Sequence, residues 1–143
     1  MYWLTGNILI DRTNTNKAMN TIALTAKKIK EKNLSVWLFP EGTRSNGKGL
    51  LNFKTGAFRT AQQANVPIIP VCVSNNHDNI KLGRWDNGKL IIELLDPIYL
   101  DSDAKESVRE ETNKAHKKML TKIIELSKES GNELQTVKST LKN

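Results

Sequence analysis

The apolar positions of this chain fall into short unbroken runs separated by stretches in which they recur every three or four residues. Residues 6–10 form one such run, ending on the charged pair Asp11-Arg12, as expected of a buried strand whose carboxyl end reaches solvent. Over 16–32, Ala18, Met19, Ile22, Ala23, Ala26 and Ile29 recur at helical spacing with the lysines outside, which predicts an amphipathic helix capped by Asn14 or Thr15. A second strand is expected over 35–39. The order strand, helix, strand implies a parallel pair with a right-handed crossover. Ligands in open α/β sheets sit outside the carboxyl ends of strands, and both Asp11-Arg12 and residues 41–44 occupy such ends. Two motifs distant in sequence should therefore meet in space.

Further along, Gly47 and Gly49 make 45–51 a mobile loop, and 54–64 reads as a short helix with Ala57, Phe58 and Ala61 on its apolar side. The run 66–73 predicts a third strand, confined to an edge or a bulge by Pro67 and Pro70. A polar connection over 75–88 leads to a strand at 89–95 and a long helix at 104–130, with Val108, Thr112, Ala115, Met119, Ile123 and Leu126 facing inward. The fold class expected is α/β, a mostly parallel central sheet flanked by helices. At 143 residues and 38% hydrophobic, one core is the expectation, spanning residues 1–130 and followed by a polar tail over 131–143.

The stretch Phe39-Pro40-Glu41-Gly42-Thr43-Arg44-Ser45 holds the densest chemistry. Pro40 has no N–H and cannot continue a central ladder, while Gly42 allows a turn and a close approach of backbone to ligand. Arg44 presents a planar fork of donors suited to phosphate or carboxylate, with two hydroxyls beside it. The alternative for Arg44 is a surface ion pair with Glu41, worth about 0.5 kcal/mol. Arg12 at the end of a neighbouring strand would complete a clamp for a phosphomonoester, and Lys54 is a third candidate cation. Glu41 beside a guanidinium suits orienting Arg44 or bonding to turn backbone better than acting as a base. Gly42 to Lys48 also fits a phosphate-loop spacing, but Gly49 stands where a magnesium-binding hydroxyl belongs, which argues for a flexible turn.

Charge sharpens this picture. The net charge is +7, and residues 1–60 carry all of the excess, with ten basic against three acidic side chains. Lys27, Lys28, Lys30 and Lys32 are explained by a solvated helix face. Arg12, Arg44, Lys48, Lys54 and Arg59 surround the candidate anion site and would attract an anionic substrate or an anionic membrane surface. Aromatic stacking or a recognition-helix pattern for nucleic acid is missing. Cys72, the single cysteine, lies in an apolar run and reads as a buried hydrophobe; no metal-ligand spacing is visible. His77 is expected in a polar surface turn and His116 exposed between lysines. The longest apolar run is well short of the about 18 residues of a membrane span.

Three stretches in order carry a family resemblance. Residues 39–45 resemble the third motif of the glycerolipid acyltransferases, Gly6-Asn7-Ile8-Leu9-Ile10-Asp11-Arg12 the second, and Val66-Pro67-Ile68-Ile69-Pro70-Val71 the fourth. With Tyr2-Trp3-Leu4-Thr5 and Phe53-Lys54-Thr55-Gly56-Ala57-Phe58, they look like the bacterial family that acylates 1-acyl-sn-glycerol-3-phosphate, over roughly residues 1–130.

The resemblance implies transfer of an acyl group from acyl carrier protein or coenzyme A, as co-substrate, to the 2-hydroxyl of lysophosphatidic acid, with no bound cofactor. It implies a phosphate site at Arg12, Glu41, Gly42, Thr43, Arg44 and Lys54. It associates Val66, Pro67, Ile68, Ile69 and Pro70 with the acyl donor, although the same side chains could simply fill the core. The family places such enzymes peripherally on the cytoplasmic side of the inner membrane. Its catalytic dyad is a His followed five positions later by an Asp; five residues beyond His77 and His116 stand Leu82 and Thr121. The expectation is a C-terminal portion of such an enzyme, truncated before its general base and weakly active or inactive alone. The competing reading is a non-catalytic basic module that binds anionic headgroups or an intact acyltransferase.

Overall fold

The computed structural model describes residues 15–77, 80–81, 83–101 and 105–132. Helix α1, Thr15–Lys32, forms where the periodic pattern predicts it and buries Ala26 and Ile29 against Ala64, with Val66 packed alongside. Its apolar stripe is narrower than the sequence pattern suggests, because Met19 and Ala23 remain exposed. The helix stops at Asn33, whose left-handed φ of 49° lets the Leu34 N–H reach back to the Ile29 carbonyl at 3.3 Å.

Helix α2, Gly56–Ala64, starts two residues later than expected and ends in the same way at Asn65 (φ 54°). Its Phe58 meets Val108 and Ala115 of α3, Lys105–Glu129, the long helix anticipated over 104–130. Val108, Thr112, Ala115 and Leu126 are buried, so the inner face of α3 is the predicted one.

Strands β1, Val71–Val73, and β2, Ile92–Leu94, pair antiparallel with Cys72 opposite Glu93. One face of the pair packs on α3 through Cys72, Leu95 and Leu126. Both are shorter than the runs 66–73 and 89–95. Pro70 donates nothing to the ladder, which survives beyond it only as the Leu95 N–H bond to the Pro70 carbonyl and the bridge between Ile68 and Ile98.

The parallel pair is not formed among the described residues. Residues 6–10 lie outside them, and 35–39 have no ladder partner there, leaving Val36, Trp37 and Phe39 exposed at 40, 67 and 75%. A strand exists only by pairing. The sheet seen is antiparallel because the chain returns from β1 to β2 through a polar connection with no helix among its described residues, and a parallel return needs a crossover. His116 is a second departure. One position beyond buried Ala115, it is half-buried and meets the ring of Phe53 edge-on, centroids 4.9 Å apart, rather than standing exposed between lysines.

Candidate functional site

The segment after Phe39 folds into a closed loop. Gly42, at φ 71°, turns the chain so that its N–H donates to the Phe39 carbonyl at 3.1 Å. A side chain there would be strained by the left-handed φ. It would also meet the Lys54 side chain, whose Cδ, Cε and Nζ lie 3.3 Å from the position a Cβ would take.

Two bonds close the base of the loop. The Lys54 N–H donates to the Pro40 carbonyl at 2.8 Å, and the Leu51 N–H donates to Glu41 Oε2, also at 2.8 Å. Between them, the Lys48 N–H bonds to the Ser45 carbonyl, and Asn46, Gly47 and Gly49 take positive φ. A compact surface loop whose ends are joined in this way is a common platform for binding groups.

Of the two roles open to Glu41, the structure selects backbone bonding. Arg44 has no ion pair with it and stands exposed, as do Thr43, Lys48 and Lys54. The one acid of the loop therefore serves its frame, while its cations face solvent. Lys54 and Gly42 are brought together with Glu41, Thr43 and Arg44. Arg12 lies outside the described residues. Arg59 points elsewhere, toward Met19 Sδ of α1 at 3.9 Å.

The stretch 66–70 alternates. Val66 and Ile68 are half-buried, packing against the α1 and α2–α3 clusters respectively, and Pro70 is buried, while Pro67 and Ile69 face outward. Core filling thus accounts for three of the five. A shallow surface cavity of about 350 Å³, lined by Ala23, Ala26, Lys27, Lys30, Glu31 and Gln63, includes none of the loop residues. No cluster of His, Cys, Asp and Glu suited to a metal occurs among the described residues.

Cys72 is fully buried; desolvation, aided by Glu93 and opposed by Lys122, raises its thiol pKa. It is inert packing. What sequence reasoning missed is the contact between Gly47 and His77, thirty residues apart, since no local pattern announces a glycine that makes room for a distant ring. It also missed the orphaned His116 Nε2, buried without a hydrogen-bond partner.

The loop is thus a proline-terminated apolar segment leading into a glycine turn that displays arginine and lysine. The acyltransferase family model matches residues 1–74, and the chain belongs to that family. The 1-acyl-sn-glycerol-3-phosphate acyltransferase of Haemophilus influenzae is 53% identical over 129 residues, covering 90% of this chain and 54% of that protein. That of Escherichia coli is also 53% identical, over 90% of this chain and 53% of the relative. The crystal structure of the 1-acyl-sn-glycerophosphate acyltransferase PlsC from Thermotoga maritima superposes with a TM-score of 0.59 at 27% identity, over 74% of this chain and 44% of that one. The fold is acyltransferase-like, and the chain spans about half the length of the relatives it matches.

Proposed function

We propose that this chain supplies the acceptor-phosphate site of a 1-acyl-sn-glycerol-3-phosphate acyltransferase of phospholipid synthesis. The observation that carries this reading is the loop at 40–54, in which Glu41 bonds to the Leu51 backbone while Arg44 and Lys54 stay exposed as cations. A guanidinium fork and an ammonium on one preformed turn suit a phosphomonoester, which accepts several charge-assisted hydrogen bonds. Arg12 joins them when residues 6–10 and 35–39 pair as parallel strands, a pairing that would give 35–39 the ladder partner it lacks among the described residues. In that arrangement residues 1–130 form the domain portion and 131–143 a polar tail.

The reaction requires a base at the 2-hydroxyl, stabilisation of the tetrahedral oxyanion and an anchor for the phosphate. The chain has residues for the anchor. The acyl group comes from acyl carrier protein or coenzyme A, and the outward Pro67 and Ile69 are the members of 66–70 placed to meet an acyl chain. Neither histidine is followed five residues later by Asp, so catalysis needs a base from elsewhere. Loss of a general base costs about 10²–10⁴ in rate. No helix among the described residues is long and apolar enough to cross a membrane. The excess of basic side chains over residues 1–60 suits peripheral attachment to an anionic membrane surface, which this reading places at the cytoplasmic face of the inner membrane.

The test is acyl transfer to lysophosphatidate by the chain alone, by its Arg44→Ala variant, and by the chain supplemented with a segment carrying the family's His and Asp. Low activity alone, restored by the segment and lost again on Arg44→Ala, is the expected result. Binding that follows lipid charge without regard to the phosphomonoester, with no activity under any condition, would instead favour a non-catalytic basic module.

A further inference from the structure

The loop that presents Arg44 is met by a ring from thirty residues further along the chain. A Cβ on Gly47 would lie 2.5 Å from His77 Cδ2 and 2.6 Å from Nε2, so the imidazole rests directly against the Gly47 backbone. With φ at 82°, Gly47 has both the conformation and the vacancy that only glycine supplies.

His77 is itself held. Its N–H donates to Asn75 Oδ1 at 3.1 Å, and its carbonyl accepts from Asn132 Nδ2 at 3.4 Å. The same Asn132 amide donates to the Asn75 carbonyl at 2.6 Å, and the Asn75 N–H donates to Ser127 Oγ at 2.8 Å. Ser127 is fully buried, and its hydroxyl bonds to the Ile123 carbonyl of α3. A continuous set of bonded groups thus runs from the end of α3, through the turn after β1, to the backbone of His77, whose ring lies on Gly47.

We propose that His77 is a positioning residue for the phosphate-binding loop, its backbone held through Asn75, Ser127 and Asn132 at the end of α3 and its ring, seated on Gly47, fixing the shape in which the loop presents Arg44. This rests on the phosphate reading of Arg44. The reason a brace matters is entropic. Gly47 and Gly49 have no side chain to pack and those of Asn46 and Lys48 are exposed, and a loop that must order on binding subtracts that ordering from affinity.

The test uses the full chain and two readouts: amide exchange at Lys48 and Leu51 without ligand, and affinity for lysophosphatidate against monoacylglycerol, which lacks the phosphate. His77→Ala should speed exchange at both amides and weaken lysophosphatidate binding by about three- to tenfold, with monoacylglycerol unaffected. His77→Phe, which keeps a ring against Gly47, should restore both. Gly47→Ala should weaken binding, and adding His77→Ala to it should recover part of the loss, because the ring that the new methyl strikes is gone.

His77→Ala with parental exchange and parental affinity, while Arg44→Ala loses lysophosphatidate, would overturn the positioning role alone. Parental affinity in Arg44→Ala would remove the phosphate reading and the positioning role with it. His77 is exposed in a turn, so its truncation takes nothing from the core.

Discussion

The Leu51 N–H donates to Glu41 Oε2 at 2.8 Å across a ten-residue separation, so the single carboxylate of the loop is a structural acceptor. A hydrogen bond to a charged group contributes about 1.5–3 kcal/mol, against about 1 kcal/mol for a neutral one. Glu41→Ala should free the Leu51 amide and raise its exchange rate at least tenfold. Glu41→Gln, which keeps an acceptor oxygen, should fall between the parent and the alanine variant. Equal exchange in all three would show that the bond does not hold the loop.

Ser127 ties the turn after β1 to α3 through one hydroxyl, accepting from the Asn75 N–H and donating to the Ile123 carbonyl. Ser127→Ala removes both bonds of this buried hydroxyl. At about 0.5–1.5 kcal/mol for each, the loss is about 1–3 kcal/mol. Urea denaturation should show a loss in that range with an unchanged m-value. Ser130→Ala, three residues on and half-buried, should cost less than half as much, since its hydroxyl bonds only within the final turn of α3.

The sequence made the helices legible and the sheet only partly so. Helix α3 follows from a sustained three- and four-residue period, and its inner face, Val108 to Leu126, is the predicted one. A strand depends on a partner that no local pattern names, which is why residues 35–39, apolar enough for a strand, are unpaired and exposed among the described residues. Gly42 and Arg44 could be singled out because turn chemistry is local. The role of Glu41 could be narrowed to two options, and Leu51 decided between them. His77 on Gly47 was invisible, since it depends on where the turn after β1 comes to lie against a loop thirty residues earlier.

Cys72 gives a pH dependence of definite sign. Its thiol pKa is raised, chiefly by burial, so between the unfolded value near about 8.5 and the higher folded one the native state keeps a proton that the unfolded state has released. The contribution is complete below about pH 8.5 and is lost as pH rises toward the folded value, at no more than about 1.4 kcal/mol per pH unit. Cys72→Ala should flatten the decline in stability as pH rises above the unfolded thiol value, measured by urea denaturation at each pH. In the native parent, a thiol-specific disulfide reagent should react only as fast as the chain unfolds.

His116 is the clearest local conflict among the described residues. Its Nε2 is buried without a partner while its ring packs edge-on to Phe53, so the fold uses the ring and leaves the nitrogen unsatisfied. An apolar side chain of similar size would keep the packing against Phe53 and remove the stranded polar atom. His116→Leu should therefore raise stability by about 1 kcal/mol, read as a shift of the urea midpoint at constant m-value. A loss of stability instead would mean that the edge-on contact with Phe53 is worth more than the unsatisfied nitrogen costs. Phe53→Leu separates the two contributions, because it weakens the ring contact and leaves the nitrogen as it was; it should destabilise the parent more than the His116→Leu background, and equal effects in both would show that the two rings are not coupled.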